Sequence, residues 1–224
     1  MPQLPNDAKN KQLWKSILDV KADAVGLAEI NLDWRLIPSE SSFYCRTYES
    51  PLRPAKVAAV ANTTSPPQQV AQFGGVATLV LHKLLPRIIS VDKDPTSLGR
   101  WISMLIEGKG THRCRLVTGY FPNKDTGSKE KQTKGTVYGQ HRGHFQKIKR
   151  DEEPHSAWIA DFTKEVRTWT AGGEQVVIKL DANSDVRSGQ VAVALQRLGF
   201  KEQITHRHPL EGPGGLFPSR IKCN

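Results

Sequence analysis

The chain has 224 residues, 38% hydrophobic and 24% charged, enough to bury a real core and too apolar for a disordered tail. Three scattered cysteines, Cys45, Cys114 and Cys223, form no Cys-x-x-Cys pair, which excludes a disulfide framework, a disulfide-linked partner and a zinc knuckle. No apolar run reaches membrane-spanning length and the N-terminus has no signal core, so the expected setting is intracellular, nuclear or cytoplasmic.

Asn6 or Asp7 can cap a first helix ending near Lys21, with Leu13, Trp14, Ile17 and Leu18 on one face. Ala22 to Glu29 reads as a buried strand that ends in a carboxylate, with Asn31 and Trp34 directly after it. Pro51 and Pro54 break the next stretch, and alanine-rich 55–61 reads as helical. From Phe73 the sequence Gly-Gly-Val-Ala-Thr-Leu-Val-Leu is a strand introduced by a glycine pair. The segments 87–91, 100–106 and 113–120 come next as strands between Gly and Pro turns, a largely antiparallel meander.

A helix is expected from Val137 to about Arg150. A second starts near Pro154 and carries Trp158, Ile159, Phe162, Val166 and Trp169 as an amphipathic stripe. Gly172-Gly173 stops it. Val176, Val177, Ile178 and Leu180 then make a short β-branched run read as a buried strand, which switches abruptly to Asp181, Asn183 and Asp185. A helix over 190–198 and a short strand over 200–205 complete the elements. The chain is read as one domain over 1–224, with an irregular Gly/Pro-rich tail over 211–224.

The net charge is +10, and it is uneven. Between Lys109 and Arg150 stand 11 Lys and Arg against Asp125 and Glu130 only, a net of +9. Such a segment suits a polyanion, with DNA favoured over RNA; the alternative is a solvated basic loop without a partner. The contacts would come from Lys109, Arg113, Arg115, Lys124, Lys129, Lys131, Lys134, Arg142 and Lys147.

Asp181 and Asn183 alternate onto one side of an extended chain, placing a carboxylate and an amide together at a strand end. The pair could hold a hard cation, orient a water or meet a phosphate oxygen, or it could merely close a turn, as Asp and Asn often do. Glu29 and Tyr120 also stand at the ends of apolar strands.

In order, these pieces resemble the endonuclease/exonuclease/phosphatase superfamily, which includes apurinic/apyrimidinic endonucleases and retroelement endonuclease domains. Leu27-Ala-Glu-Ile-Asn31 is similar to its metal-binding strand end, and Phe73-Gly-Gly-Val-Ala to its Gly-Gly-x-Ala strand. Val117-Thr-Gly-Tyr-Phe-Pro122 is similar to its tyrosine strand, and Leu180-Asp-Ala-Asn183 to its Asp-x-Asn signature. The style is nearest to retroelement-type members. The resemblance spans about residues 8–222 and implies a four-layer α/β sandwich of two mixed β-sheets flanked by helices.

It also implies metal-assisted water attack on a phosphate ester of nucleic acid, with magnesium as cofactor and manganese as the alternative ion. Glu29 would be the metal ligand. Asp181 would orient the attacking water, Asn183 would contact the phosphate, and Tyr120 would hydrogen-bond it. Two departures set a limit. The family's first strand, with its Asn, has no counterpart, and neither Asn6 nor Asn10 replaces it. Lys222 stands where the family has an Asp, and no histidine follows an Asp, so the final Ser-Asp-His is missing. The expectation is a domain truncated at both ends and inactive as it stands. The alternatives are a non-catalytic basic nucleic-acid-binding relative and a phosphatase of small phosphorylated molecules.

Overall fold

The computed structural model describes residues 7–37, 54–66, 72–124 and 136–203. The fold is α/β, with one sheet of three strands and one of four, accompanied by helices. The chain divides into two compact units. The first comprises Met1–Tyr120 and Trp169–Leu180, the second Phe121–Thr168 and Asp181–Asn224.

In the first unit, helix α1 (Asp7–Asp19) precedes strand β1 (Ala24–Ala28). Strands β2 (Ala55–Val60) and β3 (Val76–Leu81) complete a three-stranded sheet in the order β1-β3-β2, antiparallel throughout. The central strand β3 is buried on both faces, and its side chains alternate between two jobs. Leu79 and Leu81 pack with Trp14 and Ile17 of α1. Val80, on the opposite face, packs with Met104 and Ile106 of the second sheet. Leu18, expected on the helix's apolar face, is exposed instead, because Leu13, Trp14 and Ile17 already define the stripe that meets the sheet.

Residues 55–61 are a correction. The alanine-rich run favours a helix by intrinsic propensity, yet Ala55 to Val60 pairs residue by residue with Leu81 to Val76. Packing on a pleated, half-buried surface outweighs that propensity.

The second sheet runs β4 (Ile88–Lys93), β5 (Trp101–Glu107), β6 (Arg113–Tyr120) and β7 (Gln175–Asp181) in that order. The β4–β5 and β5–β6 pairings are antiparallel, so the meander read from turn spacing is what the chain builds here. Between the sheets, the Thr78 and Thr118 hydroxyls share a buried hydrogen bond of 2.7 Å. The sequence predicts a buried β7, but this strand ends the described strand order and Val177 is 48% exposed. An edge strand has a neighbour on one side only.

One buried ion pair braces the approach to β5. Asp94 receives Arg100 through Nε at 2.8 Å and Nη2 at 3.0 Å, and also accepts from the Thr96 N–H and hydroxyl. Burial would raise the Asp94 carboxyl, but these donors hold it below its ordinary value.

The second unit contains helix α2 (Val137–Lys147), most of helix α3 (Pro154–Ala171), and helix α4 (Gln190–Arg197). Thr136 caps α2 through the Gly139 N–H. The stripe read from sequence on α3 is the buried face, with Trp158 and Phe162 stacked at 4.5 Å and Phe121 edge-on to Trp158 at 5.2 Å. Arg150 forks onto Asp161 with bonds of 2.8 and 2.9 Å. No strand forms at Phe200–Glu202, contrary to the sequence reading; the remainder of that stretch lies outside the described residues.

Candidate functional site

Glu29 comes directly after β1 and has a backbone φ of 52°, a left-handed conformation that a long side chain adopts at a cost of about 1–3 kcal/mol. The next two residues impose it. Asn31, at φ 57°, donates its N–H to the Gly74 carbonyl, and its side-chain oxygen accepts from the Gly74 N–H at 2.8 Å. Ile30 donates to the Gly75 carbonyl. Gly74 and Gly75 both sit at positive φ, so the glycine pair noted in the sequence is a docking ledge for the Glu29–Asn31 turn.

That turn leaves the Glu29 carboxylate exposed at the strand end, where Oε1 accepts a 2.6 Å bond from the Tyr120 hydroxyl. Tyr120 is buried, the last residue of β6, and its N–H donates to the Arg100 carbonyl. The two residues are 91 positions apart. The second carboxylate oxygen, Oε2, meets no hydrogen-bond donor among the described residues. One anchored carboxylate with a free oxygen fits a magnesium ion, which takes one or two carboxylates and keeps several waters. Among the described residues no three His, Cys, Asp or Glu side chains come together as an all-protein metal cage would need.

Asp181 and Asn183 lie in the second unit. Asp181 ends β7, and its carbonyl accepts the Phe121 N–H at 2.8 Å. Asn183 is also left-handed, at φ 44°, and its Nδ2 donates to the Phe121 carbonyl at 2.9 Å. The Asp181–Asn183 turn is thus stitched to the residue after Tyr120 through main chain on one side and amide on the other. Beyond it, Asp185 closes a turn by accepting the Arg187 and Ser188 N–H groups, which hold the Asp185 carboxyl below its usual range. Asp185 is thus a turn former.

The basic residues divide sharply. Lys109 and Arg113, at the β5–β6 turn, are exposed, as are Lys124 and Lys147 in the second unit, with Arg142 half-buried. Lys129, Lys131 and Lys134 lie outside the described residues. Arg115 corrects the sequence reading. It is 5% exposed, with Nε and Nη2 on Glu174, Nη1 on Asp92 and Ser103, and its guanidinium 4.9 Å from the centre of the Trp169 ring. Burial alone would lower its pKa, but the two carboxylates raise it, and four of the five N–H donors are spent inside the protein.

Sequence reading passed over two residues. Lys179, in β7, has its ammonium enclosed without a hydrogen-bond partner among the described residues, and burial pushes its pKa down to about 8. A lysine inside a β-branched run was a signal that could have been read. His155, on α3, donates Nε2–H to the Pro122 carbonyl at 2.7 Å and stacks on Phe121 at 4.2 Å. No local pattern marks it.

No family model matches the sequence, and neither does any curated protein. Among solved structures, truncated TDP2 of Caenorhabditis elegans is similar at 16% identity and TM-score 0.44, over 82% of this chain and 58% of that one. TDP2 from C. elegans gives 16% and 0.40, over 82% and 44%. The chain thus spans 58% and 44% of the lengths of these two structures. Likeness at that level carries no argument about what this chain binds or cuts. The superfamily resemblance, and its retroelement-type refinement, rest on the motifs. Among the described residues no helix is long and apolar enough to cross a membrane, and Cys114 is a free thiol.

Proposed function

We propose that this chain carries the metal- and phosphate-binding part of a magnesium-dependent phosphodiesterase acting on nucleic acid, DNA before RNA. The observation that carries the reading is the Tyr120–Glu29 bond, which joins two strand ends beside a strained, exposed carboxylate. Glu29 would hold the metal through its free oxygen. A bound magnesium, or manganese, would supply charge neutralisation on a phosphate oxygen. Tyr120 keeps the Glu29 carboxylate oriented and can pass its hydroxyl to a phosphate. Asp181 is assigned the orientation of the attacking water. Asn183 is assigned the phosphate contact through its remaining amide N–H, its position fixed by the Phe121 carbonyl. Lys109, Arg113, Lys124 and Lys147 are exposed cations for the polyanion.

The 224 residues contain no histidine preceded by an aspartate. A general acid–base group contributes about 10²–10⁴-fold, so this chain alone is expected to bind and not to cut. The exposed cations favour a second reading, a basic nucleic-acid-binding relative without catalysis. A phosphatase of small molecules is the third, and the basic surface argues against it.

Supercoiled plasmid with magnesium, and duplex DNA retention at graded salt, test the reading. We expect retention that weakens steeply with salt, and no nicking. Calorimetry should show weak magnesium binding that Glu29→Gln removes. Nicking that vanishes in Asp181→Ala would restore a complete enzyme. Absence of retention at low salt would sink the nucleic-acid reading.

A further inference from the structure

Among the described residues six large apolar side chains are left exposed, Leu18, Val20, Phe73, Ile89, Ile148 and Val177, and only Phe73 is aromatic. Its ring is 55% exposed. Apolar side chains scattered singly over a surface need no explanation. What sets Phe73 apart is where it stands and how it is mounted.

Phe73 immediately precedes the glycine pair on which the Glu29–Asn31 turn docks. Both of its chain neighbours are bonded to Asn31. The Gln72 N–H donates to the Asn31 carbonyl at 3.1 Å, and the Gly74 N–H donates to the Asn31 side-chain oxygen at 2.8 Å. Gln72 is held a second time, its Nε2–H donating to the Asn62 carbonyl at 2.6 Å. Gly75 packs close to the end of β2, where a Cβ would stand 3.0 Å from the Val60 carbonyl oxygen. The backbone on either side of the ring is therefore fixed before any ligand arrives, which lowers the ordering cost of binding. Asn31 is two residues from Glu29, at most about 7 Å along the chain. The exposed ring and the exposed carboxylate thus stand on bonded neighbouring segments of the first unit.

A flat apolar face held beside a phosphate-directed carboxylate suits the base carried by that phosphate's strand. Every base has a π-face, so such a platform is indifferent to sequence. Inside a duplex both faces of a base are covered by its stacked neighbours, and only an unpaired or terminal base can offer one. We propose that Phe73 is a stacking platform for an unpaired nucleobase next to the phosphate held at Glu29. The strand engaged there is single-stranded or a frayed end. The proposal rests on the nucleic-acid reading and deepens it: the exposed cations draw in any polyanion, while Phe73 selects for a bare base.

The test is fluorescence anisotropy of the full chain in magnesium at low salt. The probes are labelled oligothymidylate, an oligomer of equal length built from abasic units, and a dumbbell duplex closed at both ends. We expect oligothymidylate to bind about tenfold tighter than the abasic oligomer. Phe73→Leu keeps apolar bulk without a π-face and should abolish that ratio. Phe73→Trp presents a larger face and should widen it. Neither variant should alter dumbbell affinity or the circular dichroism spectrum.

Equal affinity of the parent for the two oligomers would overturn the proposal, as would a ratio that survives in Phe73→Leu. A loss in Phe73→Leu that extends to the abasic oligomer and the dumbbell would make the ring a structural prop. It would remove the platform and leave the nucleic-acid reading standing. Should Phe73→Leu not fold, Phe73→Trp decides, and an unchanged ratio there overturns the proposal. Failure to bind any of the three probes would remove both readings.

Discussion

Arg115 and Lys179 stand on neighbouring strands, β6 and β7, and both are basic side chains drawn into the first unit. Arg115 arrives at a prepared place: two carboxylates, a serine hydroxyl and an indole face use its donors and its plane. Lys179 finds no hydrogen-bond partner among the described residues, and burial shifts its protonation instead. A guanidinium is a fork that matches carboxylates, whereas an ammonium is a point charge that can be dropped. Not every one of the 32 Lys and Arg is therefore presented to a polyanion. Arg115, like Arg100, is held by internal carboxylates, and Lys179 is prone to lose its proton.

The contrast can be broken by substitution. Arg115→Met should destabilise most, by about 3–5 kcal/mol, because it leaves Glu174 buried and unpaired; chemical denaturation would show it. A loss below about 1 kcal/mol would mean the pair is merely decorative. Lys179→Met should act in the opposite direction and stabilise at pH 7 by up to about 3 kcal/mol, the size of a shift from 10.5 to about 8.

The pH dependence has a definite sign. Below pH 8 the lysine is protonated in both states, and the folded protein bears the full penalty. As pH rises from about 8 toward 10.5, the folded state releases its proton before the unfolded state does, so stability increases. Melting scans should show that rise in the parent and its loss in Lys179→Met. Lys109→Ala, on an exposed turn, is the smallest case. Stability should change by less than about 0.5 kcal/mol, and the salt slope of DNA binding should fall by about one unit.

What could be read in the sequence depended on how far apart the partners lie. The α1 stripe, the meander and the α3 stripe are periodic, and periodicity is a local property of the chain. Glu29 and Tyr120 were legible as acids and phenols at the ends of apolar runs, although nothing in either run states that they bond each other. Arg115 was misread because its carboxylates stand 23 and 59 residues away. The β2 segment was misread because alanine says helix until β3 offers a partner. His155 depends on one main-chain carbonyl 33 residues earlier, and no side-chain pattern encodes a carbonyl.

Gly26 lies in β1, where a Cβ would meet Thr118 Oγ1 at 2.7 Å, Thr118 Cγ2 at 3.0 Å and Lys179 Cε at 3.3 Å. The Thr118 hydroxyl is in turn held by Thr78. Four positions on four strands thus share one small volume, and none can enlarge alone. Over generations of sequence drift they should move as a set. A relative with alanine at position 26 should carry serine or alanine at 118, with a shorter side chain at 179.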